Sequence, residues 1–195
     1  MNDNKCVELL EVPFRFNTYT LSSWDRSIID LISKTDGLWC AGGASLAMYI
    51  NNIRHLNDWD LFAENNNVIN DVEGKLSNLG FNNVKVEGFL SEWVKGEGSG
   101  ACNVQIISKH LSCFKNQQFL QTVFDDFDIS VCKVGFCDDS FFYLSKDAYL
   151  DIKNYTFNVS IISGKTNHRI EKYKNKGFAF NEKSLQSAVK KKATY

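Results

Sequence analysis

Two aspartates one residue apart, Asp58 and Asp60, and two adjacent glycines, Gly42 and Gly43, are the positions whose types and spacing can do chemistry in this sequence. In an extended strand alternate side chains point the same way, so Asp58 and Asp60 share one side while Trp59 and Leu61 share the other. Two carboxylates so placed repel each other unless a cation lies between them, and Mg²⁺ takes oxygens from one or two carboxylates and from substrate phosphates. Glycines at a strand-to-helix turn let the backbone come close to a ligand, and the N–H groups that open the next helix favour an anion. Gly42-Gly43 therefore reads as a phosphate cradle. A third acid would complete a two-ion site, in which ions about 3.5–4 Å apart clamp both oxygens of an in-line displacement. Asp128 is the first choice, because it stands among apolar neighbours in a stretch, Phe127 to Val134, that reads as a strand. Asp126, two positions earlier on the same face, is the reserve.

Several elements must position these residues. Ser22 or Ser23 can cap a helix through Trp24, Ile28, Ile29, Leu31 and Ile32, which Gly37 breaks. Leu38 to Ala41 is short and apolar and reads as a central buried strand ending at Gly42-Gly43. Ala44 to Ile53 has helical composition, and Trp59 to Phe62 reads as the next strand. Val68, Val72, Leu76 and Leu79 repeat at helical spacing up to Gly80. Val84 to Val86 alternates as a strand, Lys95 to Gly100 reads as a turn or loop, and Val104 to Ile107 as another strand. The segment from His110 to Val123 is partly helical. Beyond Ser145 the reading is helical over Lys146 to Ile152, Arg169 to Asn175 and Glu182 to Lys192. The expected architecture is α/β (α+β): a short mixed sheet with helices packed on one face, a core over residues 1–144, and a small C-terminal helical segment over 145–195 that closes the cleft.

Composition limits the alternatives. A chain of 195 residues, 44% hydrophobic and 13% aromatic with one proline, fits a single domain with a full core. The net charge of −1 excludes a whole-surface basic field, so any nucleic-acid contact needs a local patch. The C-terminal stretch Lys165 to Lys176, then Lys190, Lys191 and Lys192, supplies one, and within it Arg169, Lys172 and Lys176 lie along a single helical face that can meet a triphosphate or a nucleic-acid acceptor, although solvated surface is the commoner role for such a stripe. Six cysteines contain no C-x-x-C pair and read as reduced structural thiols. Trp39 and Trp59 read as core, and His55, His110 and His168 have no metal-ligand spacing. Without a leader-like start or an apolar run of about 20 residues, the expectation is a cytoplasmic protein with no membrane contact.

Gly-Gly on a strand-helix turn, then Asp-x-Asp on the next strand, then a lone acid further on, resembles the DNA polymerase β-like nucleotidyltransferase superfamily. Locally the Gly-Gly turn followed by Asp58-Trp59-Asp60-Leu61-Phe62 looks like the abortive-infection toxin group (AbiEii-like). Asn103 to Ile107, Phe127-Asp128 and Arg169 to Phe178 look like small nucleotidyltransferase-like proteins of bacteriophages and large DNA viruses. The resemblance implies that Gly42, Gly43 and Ser45 bind a triphosphate, that Asp58 and Asp60 hold Mg²⁺ or Mn²⁺, and that Asp128 joins them and helps activate an acceptor hydroxyl. Arg169 and Lys172 are further substrate-binding candidates. The implied activity is transfer of a nucleotide from an NTP to a hydroxyl of RNA, tRNA, a protein or a small molecule. A catalytically silent relative that binds nucleotide, RNA or a protein is the alternative. Ala44 stands where many members carry serine. Leu46-Ala47-Met48 lacks the Arg-Asp pair of the more distant tRNA CCA-adding enzymes, which argues against that role.

Overall fold

The computed structural model describes residues 9–56, 58–111 and 116–190; Cys6, Cys113 and Lys191-Lys192 lie outside them. Ser22 caps α1 (Ser23–Ser33), its Oγ accepting the Asp25 N–H at 3.1 Å. The face carrying Ile28, Ile29, Leu31 and Ile32 is buried. β2 (Leu38–Ala41) follows and is buried at all four residues, as expected of a strand covered on both sides.

An eight-stranded sheet forms around β2. Its other members are β1 (Leu10–Pro13), β3 (Asp58–Ala63), β4 (Asn82–Glu87), β5 (Leu90–Lys95), β6 (Cys102–Ile107), β7 (Val134–Phe136) and β8 (Phe141–Leu144), in the order β1-β8-β7-β2-β3-β6-β5-β4. β3 and β6 run parallel with Asp58 opposite Asn103 and Asp60 opposite Gln105. The other neighbours in this sheet pair antiparallel.

The alternation of β3 divides the two faces. Trp59, Leu61 and Ala63 join the larger core with Leu38, Cys40, Val104 and Ile106. Buried residues of α1, α2 (Gly43–Tyr49), α3 (Asn66–Asn78), α5 (Lys146–Lys153) and α6 (Thr166–Asn175) belong to that same core, so most helices pack together there. On the opposite face Phe62 packs with Trp39, Ala41 and the buried side of α4 (Asn116–Asp125), namely Phe119, Leu120, Val123 and Phe124. Trp59 is a core residue, 1% exposed, and its Nε1 donates to Asp25 Oδ1 at 2.8 Å; Trp39 is buried beside Glu64.

Phe127 to Val134 differs from the expected strand. It makes one bridge, Ile129 to Val159, then a 3₁₀ turn over Ser130–Cys132 before β7. Ser130 Oγ accepts the Asn158 N–H at 2.8 Å and donates to Asp151, tertiary bonds that anchor the turn to a distant part of the chain. Asp128 therefore stands on an irregular segment and not on a strand beside β3. The C-terminal part is also mixed: β9 (Thr156–Phe157) pairs with β11 (Ala179–Phe180), and β10 (Ile161–Ile162) with β12 (Val189–Lys190). In place of a helix over Glu182 to Lys192 there is the short α7 (Ser184–Ser187), after which the chain extends into β12. No helix among the described residues is long and apolar enough to cross a membrane.

Candidate functional site

β2 ends in a backbone conformation reserved for glycine: Gly42 has φ +87° and ψ −138°. Its N–H donates to the Val134 carbonyl at 3.1 Å, and its own carbonyl accepts the Leu46 N–H at 3.0 Å to start α2. A Cβ built on Gly42 would stand 3.3 Å from Asp60 Oδ2 and 3.7 Å from Phe127 Cζ, so the bare glycine leaves the room that this carboxylate occupies. β3 delivers Asp58 and Asp60, and β6 sets Gln105 next to Asp60.

α6 closes the other side. Residues 169, 172, 173 and 176 follow three- and four-residue steps, which place Arg169, Lys172, Tyr173 and Lys176 on one helical face. Together with Gly42, Gly43, Asp128, Cys132 and Lys165 these side chains line a single cleft of about 290 Å³. Of the sequence-derived candidates the cleft brings together Gly42, Gly43, Asp58, Asp60, Asp128, Arg169 and Lys172.

Ser45 is not in the cleft. It is fully buried in α2 and its hydroxyl donates to Cys40 Sγ at 3.4 Å, because its position on the helix turns it into the core against β2. Asp126 is also elsewhere, paired with Lys109 and lying 3.4 Å from His110 Nε2. Asp128 is in the cleft but both of its oxygens have protein donors. Oδ1 accepts Arg169 Nη1 at 2.7 Å, and Oδ2 accepts Thr166 Oγ1 at 3.2 Å and Ser163 Oγ at 3.4 Å. Among the described residues no group of three or more His, Cys, Asp or Glu is placed to hold a metal ion, so the expected three-acid cluster does not form.

Electrostatics sets Asp60 apart. Burial, and then the neighbouring Asp58 charge, push its carboxyl from 3.8 up to about 7, against the pull of Lys172 and Arg169. Burial lowers the Lys176 ammonium, with Lys172 adding to the effect. Cys132 donates to the Tyr173 hydroxyl, and burial raises its thiol to about 11 and the Tyr173 phenol upward as well. Both stay protonated near neutral pH and serve as lining, not as nucleophiles. The described cysteines Cys40, Cys102, Cys132 and Cys137 are all free thiols.

Sequence reasoning missed Gln105, Phe127, Cys132 and Tyr173 as cleft residues. Lys165, which opens the C-terminal basic stretch, extends the 169-172-176 stripe by one four-residue step and lines the cleft with it. Gln105 depends on the β3–β6 register, which one strand's pattern does not carry.

Solved structures align with the chain and share its fold, a mixed sheet flanked by helices. They are CCA-adding enzymes. One in complex with CTP aligns at a TM-score of 0.64 and 13% identity, over 87% of this chain and 43% of that one. The Thermotoga maritima enzyme in complex with tRNA gives 0.63 and 13%, over 90% and 45%. A complex with ATP gives 0.63 and 14%, over 87% and 42%. At such identity the likeness establishes the fold alone, and the chain spans less than half the length of these structures. No protein-family model matches the sequence, and no curated protein sequence does. The narrower likeness to abortive-infection or viral proteins thus has no support from sequence comparison.

Proposed function

We propose that this chain is a metal-dependent nucleotidyltransferase that moves a nucleotide from an NTP to a hydroxyl acceptor and releases pyrophosphate. The observation that carries this reading is one cleft lined by Asp58 and Asp60, by Arg169 and Lys172, and by the Gly42-Gly43 turn. The carboxylate pair suits a divalent cation: burial, and then the charge of Asp58, raise Asp60 despite two nearby cationic side chains, and a bound cation would offset both effects. Asp58 and Asp60 would hold Mg²⁺ or Mn²⁺. Bound there, the ion supplies positive charge against the triphosphate and lowers the pKa of the acceptor hydroxyl. Arg169 and Lys172, with Lys165 and Lys176 beside them, bind and orient the phosphates, and Arg169 suits the task because its planar guanidinium fits phosphate oxygens. Gly42 lets the backbone approach the ligand, and Phe127 with Tyr173 narrows the cleft and excludes water. Positioning and electrostatics supply most of the acceleration.

The acceptor we propose is an RNA, tRNA or protein hydroxyl, or a small hydroxyl compound, and the free thiols are in keeping with work in the cytoplasm. Incubation with each α-labelled NTP and Mg²⁺ or Mn²⁺ tests the activity. Labelled product from the wild type that is lost in Asp58→Ala and Asp60→Ala supports it; equal labelling in all three proteins overturns it. A second reading, a silent relative that only binds nucleotide, draws on Gln105, an amide where a carboxylate on the strand beside Asp60 would complete a metal-binding trio. Calorimetric titration separates the two. Nucleotide binding that needs no metal favours the silent relative, and metal-dependent binding with turnover favours the enzyme.

A further inference from the structure

We infer that Asp128 is a positioning residue, which holds the Arg169 guanidinium against the cleft where a triphosphate would lie, and that it is not a third metal ligand. The inference rests on the nucleotide reading given above. Asp128 is 2% exposed, and a carboxylate so buried is costly unless it is paired and hydrogen-bonded. Its partners meet both needs: Arg169 Nη1 at 2.7 Å on one oxygen, and the Thr166 and Ser163 hydroxyls at 3.2 and 3.4 Å on the other. A metal ion at Asp128 would have to compete with the guanidinium on Oδ1 and with the two hydroxyls on Oδ2.

The partners also show what the carboxylate organises. Ser163 and Thr166 stand at the entry to α6, and Ser163 N–H donates to Thr166 Oγ1 at 2.8 Å. Asp128 therefore ties the first turn of the helix to the segment that follows α4. Thirty-eight and forty-one residues separate it from Thr166 and Arg169, so the link is tertiary and fixes where the cationic face of α6 sits. The Arg169 side chain is 43% exposed, against 4% for that of Asp128. A guanidinium carries five N–H donors in a rigid fork, so one nitrogen on Asp128 leaves others for an anion in the cleft. Arg169 lines the same cleft as Asp58 and Asp60, and its charge acts on Asp60 as well.

A double-mutant cycle on the full chain tests this. Wild type, Asp128→Asn, Arg169→Ala and the double variant are titrated with the four ribonucleoside triphosphates in Mg²⁺, and separately with Mn²⁺ alone by electron paramagnetic resonance. Asp128→Asn is expected to weaken nucleotide binding about ten- to a hundredfold in the Arg169 background and not in Arg169→Ala, the coupling of groups in direct contact. Its Mn²⁺ affinity without nucleotide is expected to stay within about twofold of wild type, while Asp60→Asn loses about tenfold or more. A fall in Mn²⁺ affinity matching Asp60→Asn, or a nucleotide effect that persists without Arg169, overturns the inference. Arg169→Lys, at a half-exposed position, guards against an Asp128 variant that fails to fold. It keeps the charge but loses the fork, and unchanged nucleotide affinity there overturns the inference too. A wild type that binds Mn²⁺ but none of the nucleotides overturns the nucleotide reading itself, and the inference with it.

Discussion

The Asp60 carboxylate packs close against Gly42, where a Cβ would come within 3.3 Å of Asp60 Oδ2 and crowd it. Two requirements meet at this residue, the close approach and a φ of +87° with ψ −138° that L side chains rarely adopt. Gly42→Ala is therefore expected to cost about 1–3 kcal/mol in backbone strain alone. For a chain of this size that lowers Tm by roughly 2–12 °C. Mn²⁺ affinity should fall with it as Asp60 is displaced. At Gly43 a Cβ would meet only the Tyr173 hydroxyl at 4.0 Å, so Gly43→Ala should be milder in both calorimetry and Mn²⁺ titration.

Asp60 also makes metal-free stability depend on pH. Its carboxyl titrates at about 7 in the folded chain and near 3.8 when unfolded, raised by burial and Asp58 and opposed by Lys172 and Arg169. Below 3.8 both states hold the proton and nothing is lost. Between about 4 and 7 the unfolded state gives up a proton that the folded state keeps, so stability falls as pH rises and then levels off above about 7. Thermal melts from pH 4 to 8 without metal should show this decline in the difference between wild type and Asp60→Asn, which lacks the titrating group. Mg²⁺ or Mn²⁺ should restore wild type at pH 8 and leave Asp60→Asn unmoved.

How much of this could be read from the sequence depends on how local each signal was. Leu38 to Ala41, the glycines after it and Asp58-Trp59-Asp60 each carry their information within a few residues, and β2, the turn and β3 formed there. The α6 cationic face was visible for the same reason, as a spacing of three and four. Asp128 stands out in the sequence for its apolar neighbours, and those neighbours are buried: Ile129 and Val131 are both 0% exposed. Their burial comes from one bridge and a 3₁₀ turn, a geometry decided by Ser130 bonding to Asn158 and Asp151 far along the chain. Gln105 and the Asp128 to Arg169 link are likewise tertiary, with nothing in either segment alone to announce them.

Ser45 separates the phosphate-contact expectation from the observed packing. Its hydroxyl is buried and its side-chain partner is a sulfur at 3.4 Å, a contact weaker than the ordinary net of about 0.5–1.5 kcal/mol for a hydrogen bond. Removing the hydroxyl leaves a methyl in an otherwise apolar position. Ser45→Ala should therefore change Tm by no more than about 2–4 °C and leave nucleotide affinity within about twofold of wild type. A tenfold loss of affinity with an unchanged melt would show that the hydroxyl reaches the ligand after all.

Gly135 tests whether the seating of α4 governs the cleft. On β7 this glycine faces α4, and a Cβ there would lie 2.8 Å from Leu120 Cδ1 and 3.0 Å from the Cys40 carbonyl. Leu120 is fully buried and the carbonyl belongs to β2, so neither can move aside without shifting its element. Gly135→Ala should cost about 1–3 kcal/mol by overpacking. Because α4 leads directly into Phe127 and Asp128, the displacement should reach the cleft and weaken nucleotide binding as well. Leu120→Ala alone should cost about 2–5 kcal/mol through its cavity. Combined with Gly135→Ala it should cost less than the sum of the two, since the new methyl enters the space that the leucine vacates. Strict additivity in denaturant melts would mean that the helix and the strand yield independently, and that the clash does not hold α4 in place.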